Sequence, residues 1–166
     1  MENKLKKLGL LGGMSWESTV SYYQAINRGV NKQLGGLHSA PLIISSVDFA
    51  YIEQLQHKGE WDKTADILIQ EAKSLEAAGA KAILICTNTM HKVAAHIEQN
   101  ITIPLIHIAD ATGRVLQQNR VKKVGLLGTR FTMEQTFYTS RLEEAFDIEV
   151  VIPNAQQRDT IHNIIY

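Results

Sequence analysis

The chain lacks most features of secreted, membrane-spanning and nucleic-acid-binding proteins. It has a single cysteine, Cys86, so an internal disulfide is excluded and a reducing, cytoplasmic setting is indicated. No apolar run approaches the roughly 20 residues that a membrane span needs. Lys plus Arg number 17, as do Asp plus Glu, and this zero net charge argues against nucleic-acid and membrane-surface partners. The apolar stretch near the N-terminus is short and broken by glycines, unlike a signal peptide.

Short apolar runs alternate with helix-length segments along the chain, and only three prolines interrupt them. This alternation predicts an α/β fold with parallel strands and helices on both faces of the sheet. Ser15 suits the start of the first helix, and Gly79 suits the end of the third. The predicted strands are 7–12, 42–47, 82–86, 105–108, 123–127 and 149–152, and the predicted helices are 16–33, 49–56, 61–78, 90–99, 111–118, 133–146 and 155–166.

The sequence contains an internal repeat, with one copy near the N-terminus and the other after residue 121. Residues 6–12 read KKLGLLG, and residues 122–128 read KKVGLLG, so six of seven positions are identical. At the same offset Tyr22 corresponds to Tyr138, inside the following helix. Two unrelated strands of similar composition would also give such a match, but the run of identities favours duplication. We therefore expect two pseudo-symmetric parallel-sheet domains of Rossmann-like or flavodoxin-like type.

The repeat also predicts where the domains divide. The first domain is expected at residues 1–118, and the second begins in residues 119–166 and is incomplete there. The counterpart of Thr87 would fall well after Tyr166. A lone incomplete domain buries too little apolar surface to be stable. We therefore expect these 166 residues to be a fragment.

The segment 86–91, Cys-Thr-Asn-Thr-Met-His, follows an apolar strand and opens a helix. In open α/β proteins ligands bind beyond the carboxyl ends of the strands, and helix N-termini favour anions. The segment therefore predicts a ligand site. Two simpler interpretations stay open: Cys86 is a small buried residue, and the polar residues that follow form a capping turn.

Four segments together resemble the aspartate/glutamate racemase family, most closely the bacterial racemases of broad Asp/Glu type: 9–19, 46–49, 86–92 and 107–112. The resemblance implies two pseudo-symmetric α/β domains with the active site between them, no cofactor, a small-molecule substrate (aspartate or glutamate), and a homodimer or larger assembly. Family members typically use two cysteines: one removes the Cα proton from one face, and the other returns a proton to the opposite face. A thiol suits both roles because it can act as base or acid near neutrality. The resemblance places the second cysteine beyond Tyr166, so we expect these 166 residues to be inactive alone.

The resemblance assigns the first catalytic position to Thr87, where relatives have cysteine. A threonine hydroxyl is a poor base, although it can donate a hydrogen bond or relay a proton. We therefore expect a racemase biased toward one enantiomer. A register slip that brings Cys86 to the cleft is the alternative, because neighbouring residues of a strand point to opposite faces.

The resemblance also implies the binding residues, although it offers no arginine of the first domain for the substrate side-chain carboxylate. The expected substrate-binding residues are Met14, Ser15, Gln56, Asn88, Thr89 and Thr129. We expect the residues that support these substrate-binding side chains to be Cys86, His91 and Arg130. Thr129 is expected to face Thr87.

Other functions fit the sequence less well. The glycines at 9–13 do not have the G-x-G-x-x-G spacing of a dinucleotide site. His91 and His96 are five residues apart, which does not place two metal ligands on one helix face, so no metal is expected. Related folds act on hydantoins, maleate or arylmalonates, but the Gly13–Trp16 turn favours amino-acid racemases. A non-catalytic protein that binds amino acids or small acids remains the alternative from another class.

Overall fold

The computed structural model describes residues 5–165, which form two compact units. The first unit contains residues 5–87 and 93–106, and the second contains residues 88–92 and 107–165. Both units combine helices with parallel strands, so the predicted α/β class is confirmed. None of the helices within residues 5–165 combines the length and the apolar character needed to cross a bilayer.

The first unit is built on a three-stranded parallel sheet. Its elements are β1 (Leu8–Gly12), α1 (Trp16–Leu34), β2 (Leu42–Ser46), α2 (Phe49–His57), α3 (Trp61–Ala77), β3 (Ile83–Ile85) and α4 (Ala94–Glu98). The strand order is β2-β1-β3, with Leu10 level with Ile44 on one side and Leu84 on the other. Because β1 is the central strand, Leu10 and Leu11 are fully buried, which explains its unbroken apolar run.

The predicted strand at 105–108 is wrong. Only a single parallel bridge forms, between Leu105 and Ile83, and Ile106 N donates to Ile83 O. The chain then turns at His107, whose side chain accepts a hydrogen bond from Ala109 N and caps the next helix. The backbone becomes helical at Ile108, before a second bridge can form.

The second unit contains a two-stranded parallel sheet and most of the remaining helices. Its elements are α5 (Ile108–Gln118), β4 (Lys123–Gly125), α6 (Arg130–Glu134), α7 (Thr136–Phe146), β5 (Glu149–Val151) and α8 (Ala155–Ile165). Val124 lies level with Val150 in the sheet. The core contains Ala109, Tyr138 and Leu142. The predicted helix over 133–146 is two helices, because the extended backbone of Gln135 ends α6 and begins α7.

Helix α5 is grouped with the second unit, although the repeat places the domain boundary after residue 118. The reason is packing: Ala109 of α5 is fully buried in the same cluster as Tyr138 and Leu142 of α7. Gly113 also allows close approach, since a Cβ there would lie 2.4 Å from Phe146 Cδ2. The predicted boundary after residue 118 separates two copies of a duplicated domain, and it stays a prediction. Residues 1–4 and 166 of the predicted domains lie outside the described part of the chain.

The predicted helix at 90–99 also divides into two kinds of helix. Residues Thr89–Val93 form a 3-10 helix, and α4 follows from Ala94. The 3-10 turn begins with a hydrogen bond from His91 N to Asn88 O, 3.0 Å long. Three residues per turn place Thr89 and Lys92 on the same side of this short helix.

Candidate functional site

In the first unit, the candidate residues other than Gln56 lie in turns that follow β1 and β3. Val47 N donates to Gly12 O over 3.1 Å, and Cys86 N donates to Leu11 O over 2.8 Å. These bonds hold the ends of β2 and β3 against β1, so the turns that follow start from one edge of the sheet. Ligand sites of open α/β folds lie at this edge.

The turn after β1 is fixed by two hydroxyl side chains of α1. Thr19 Oγ1 accepts from Gly13 N over 2.9 Å and donates to Ser15 O over 3.1 Å. Ser18 Oγ lies 2.5 Å from Cys86 O and 2.9 Å from Ser15 O. Ser18 thus joins this turn to the end of β3. The sequence analysis predicted no role for Thr19 or Ser18, although both lie within the segment 9–19 that carries the resemblance.

Gly13 has a backbone conformation that suits only glycine. Its φ is +88°, and a Cβ would lie 2.3 Å from Val47 O. This close approach brings the turn against the backbone that follows β2. The next two residues are Met14, which is buried, and Ser15, which is half-buried.

Cys86 and Thr87 follow directly after β3 and differ in exposure. Cys86 is 1% exposed, whereas Thr87 is half-buried. Burial raises the pKa of the Cys86 thiol to about 12, so this side chain stays protonated at neutral pH. Thr87 is thus the more exposed of the two residues. Gln56 is buried within α2, the helix after β2.

In the second unit, three threonine hydroxyls lie together. Thr89 Oγ1 is 3.4 Å from Thr129 Oγ1, which is 3.1 Å from Thr132 Oγ1. Thr129 caps α6 by accepting from Thr132 N. Thr89 is buried, and the neighbouring Asn88 side chain is exposed. The cluster offers several hydrogen bonds to a carboxylate. Thr132 was not predicted from the sequence, where only its spacing from Thr129 after the repeated strand would have indicated it.

His91 and Arg130 have different surroundings in this unit. His91 is 3% exposed, and its Nδ1 lies 3.3 Å from Asn88 O. Arg130 Nη2 donates to Asp159 Oδ1 of α8 over 2.7 Å, and Arg130 N donates to His162 Nδ1 over 3.3 Å. The predicted supporting role of His91 therefore has a direct contact to a candidate binding residue, whereas the Arg130 guanidinium forms an exposed ion pair with α8.

A cavity of about 470 Å³ opens beside the 3-10 helix and the start of α7. The lining residues are Lys92, Glu134, Gln135, Thr136 and Phe137. Burial lowers the pKa of Lys92, and the Gln135 Oε1 atom is buried without a hydrogen-bond partner. In the part of the chain that the structure describes, no three His, Cys, Asp or Glu side chains converge as metal ligands.

Comparison with known proteins gives consistent matches. The model of the family described as Asp/Glu/hydantoin racemase matches residues 11–165. The broad-specificity amino-acid racemase RacX of Bacillus subtilis (strain 168) is 26% identical over 141 residues, which cover 82% of this chain. The chain spans 60% of the length of RacX.

Solved structures share the fold. A Yersinia pestis protein proposed to be an Asp/Glu racemase has a TM-score of 0.93 and 56% identity, with 98% of this chain and 70% of that chain covered. An aspartate racemase homologue from Pyrococcus horikoshii OT3 has a TM-score of 0.82 and 36% identity over 97% of this chain and 70% of that chain. The Picrophilus torridus aspartate racemase, 21% identical, has the same fold, with a TM-score of 0.77 over 96% of this chain and 66% of that chain.

Proposed function

The chain belongs to the Asp/Glu/hydantoin racemase family, and from this premise we propose that it racemises aspartate or glutamate by proton transfer at Cα, without a cofactor. The choice of an acidic amino acid is supported by the two solved structures at 56% and 36% identity, which are described as of Asp/Glu and aspartate racemase type. The polar turn Thr87–Thr89 at the end of β3 is the observation that carries the proposal.

We assign Thr87 one side of the proton transfer. Its hydroxyl is half-buried, and it follows directly after the buried Cys86. Because a hydroxyl ionises far less readily than a thiol, Thr87 would serve mainly to return a proton to a carbanion that a base on the other face has formed. This assignment predicts faster loss of the Cα proton from one enantiomer than from the other.

The substrate carboxylate is proposed to bind at Asn88, Thr89 and Thr129. Thr89 and Thr129 place their hydroxyl oxygens 3.4 Å apart, and the Asn88 side chain is exposed beside them. Hydroxyl and amide donors satisfy a carboxylate with hydrogen bonds that strengthen when one partner is charged. In the first unit, the roles proposed for Met14, Ser15 and Gln56 rest on the family resemblance alone.

Thermodynamics limits which kinetic constants can show the bias between enantiomers. Since two enantiomers have equal free energy, kcat/KM must be the same in both directions. The bias must therefore appear in the separate values of kcat and KM, and in Cα proton exchange that proceeds without inversion. Exchange is the more direct measure, because it reports proton removal by each face.

A non-catalytic amino-acid-binding protein is the second candidate. Two observations favour it: Thr87 holds the thiol position, and the Cys86 thiol is buried and protonated. Incubation of the full-length protein with L- and D-aspartate and L- and D-glutamate in deuterated water separates the two functions. Deuterium at Cα supports the racemase, whereas saturable binding without deuterium incorporation supports the binding protein and overturns catalysis.

A further inference from the structure

Two histidines cap the same helix. His91 Nε2 accepts a hydrogen bond from Ile108 N over 3.2 Å, and His107 Nδ1 accepts from Ala109 N over 3.1 Å. These are the first two backbone N–H groups of α5, which have no partner inside the helix. Both imidazoles are buried, and their ring centroids are 4.4 Å apart in an edge-to-face arrangement.

The caps determine which nitrogen of His91 carries the proton. A backbone N–H can only donate, so Nε2 must be an unprotonated acceptor. The neutral ring then has its proton on Nδ1, which lies 3.3 Å from Asn88 O, a group that can only accept. Asn88 O also accepts from His91 N over 3.0 Å. One histidine thus holds the Asn88 carbonyl with two hydrogen bonds.

His91 therefore bridges two parts of the chain. A usual N-cap residue belongs to the helix that it caps, whereas His91 lies 17 residues before Ile108. Its ring connects the start of α5 to the peptide between Asn88 and Thr89. Thr89 in turn places its hydroxyl against Thr129. A shift of the ring would move the backbone from which the candidate carboxylate ligands project.

We propose that His91 is a positioning residue: its neutral imidazole ties the Asn88 carbonyl to the amino terminus of α5 and thereby orients Asn88 and Thr89 toward the substrate carboxylate. This proposal rests on the proposed function for its substrate. His91 does not exchange protons with the substrate, because both ring nitrogens are engaged with backbone groups.

Two substitutions separate the halves of the bridge in the full-length protein. In His91→Asn the side-chain amide occupies the place of Nδ1 and keeps the bond to Asn88 O, but it cannot reach Ile108 N. In His91→Gln the amide oxygen occupies the place of Nε2 and keeps the cap on α5, but the bond to Asn88 is lost. Melting temperature, KM and kcat are measured for both variants and the wild type.

A positioning role predicts opposite effects on stability and binding. His91→Gln should melt close to the wild type and raise KM about tenfold, the loss expected for a misaligned charge-assisted hydrogen bond. His91→Asn should melt lower and keep KM within about threefold of the wild type. Equal KM values in the two variants, or an unchanged KM in His91→Gln, would overturn the proposal, since the ring would then act through packing alone.

Nitrogen-15 NMR of the imidazoles tests the bridge without substrate. At pH 7 His91 should be the tautomer protonated on Nδ1, and a tautomer protonated on Nε2 or a charged ring overturns the bridge. If the wild-type protein neither binds nor exchanges aspartate or glutamate, the proposed function fails, and the NMR result still decides whether the bridge exists.

Discussion

The hydroxyl oxygens of Thr89 and Thr129 lie 3.4 Å apart, although 40 residues separate them in sequence. Thr89 belongs to the 3-10 turn that follows β3, and Thr129 caps the short helix α6. The two side chains bring residues from distant parts of the chain into one polar cluster within the second unit. This contact supports the proposed carboxylate site.

Removal of the Thr129 hydroxyl is expected to weaken substrate binding. Thr129→Val should raise KM for aspartate or glutamate about tenfold and cost about 1 kcal/mol of stability, because the cap of α6 is lost as well. Thr129→Ser keeps the hydroxyl, so its KM and its stability should stay close to those of the wild type. Thr160→Val, at an exposed position of α8, removes a hydroxyl that donates to Gln156 O and serves as the control. Equal KM values for Thr129→Val and this control would argue against the site.

A thiol at position 87 is expected to reduce the bias between enantiomers. In Thr87→Cys, a group with a pKa near 8.5 replaces a hydroxyl that hardly ionises, so proton removal from the slow enantiomer should rise about tenfold or more. Cα deuterium incorporation is measured separately for each enantiomer. Thr87→Ser is the matched control and should keep the bias. An unchanged ratio of exchange rates in Thr87→Cys would contradict the assignment.

Cys86 is expected to be structural rather than catalytic. Burial raises the pKa of its thiol to about 12, so alkylation by iodoacetamide at pH 8 should be slow until the protein unfolds. Cys86→Ala should lower stability by about 1 kcal/mol through lost packing and should keep Cα exchange within about threefold of the wild type. If Cys86→Ala abolished exchange and Thr87→Ala did not, the register of the two residues would have to be reversed.

Gly13 is expected to tolerate no side chain. In Gly13→Ala the new Cβ would lie 2.3 Å from Val47 O, and backbone cannot move aside as a flexible side chain can. With the cost of a positive φ, we expect a loss of about 3 kcal/mol or more. Gly36→Ala is the control, since Gly36 also has a positive φ but no atom near its Cβ position, and should cost about 1 kcal/mol. Urea unfolding measures both, and similar losses would contradict the clash.

The stability of the protein is expected to fall below about pH 6.5 because of His107. Burial, with help from His91 and Arg141 and against the attraction of Asp110, lowers the pKa of His107 to about 3. Between these pH values the unfolded chain binds a proton that the folded chain does not, so acid favours unfolding by up to about 1.4 kcal/mol per pH unit.

His107→Asn isolates this effect. Asparagine is a good N-cap and does not titrate, so the variant should keep helix α5 and show a flatter loss of stability between pH 6.5 and 4. His38→Asn, at an exposed position, serves as the control. Chemical unfolding at several pH values gives the slopes, and parallel slopes for His107→Asn and the wild type would refute the role of His107.

The sequence predicted elements well where the signal was local. The apolar run of β1 and the β-branched residues of β2 predicted strands that lie within one residue of the observed bounds. The strand predicted at 105–108 failed because His107 caps a helix, and a histidine is a weaker cap signal in sequence than serine or aspartate. The break at Gln135 has no sequence signal that we can identify.

The candidate site was predicted as a set of positions but not as contacts. The motif after β3 directed attention to Thr87, Asn88 and Thr89, and the repeat directed it to Thr129. Thr132 and His107 were missed as partners, since only its spacing from Thr129 indicates Thr132 and a histidine is a weak cap signal.

The sequence by itself determined the alternation of most strands and helices, the polar turn after β3 and the repeat of residues 6–12 at 122–128, because side-chain periodicity and turn chemistry act over a few neighbouring residues. Only the tertiary structure decided the burial of Cys86, the pairing of the Thr89 and Thr129 hydroxyls and the contact of His91 with Ile108. These properties depend on how segments 17 to 75 residues apart in the sequence pack and donate hydrogen bonds to one another, and no local pattern encodes that.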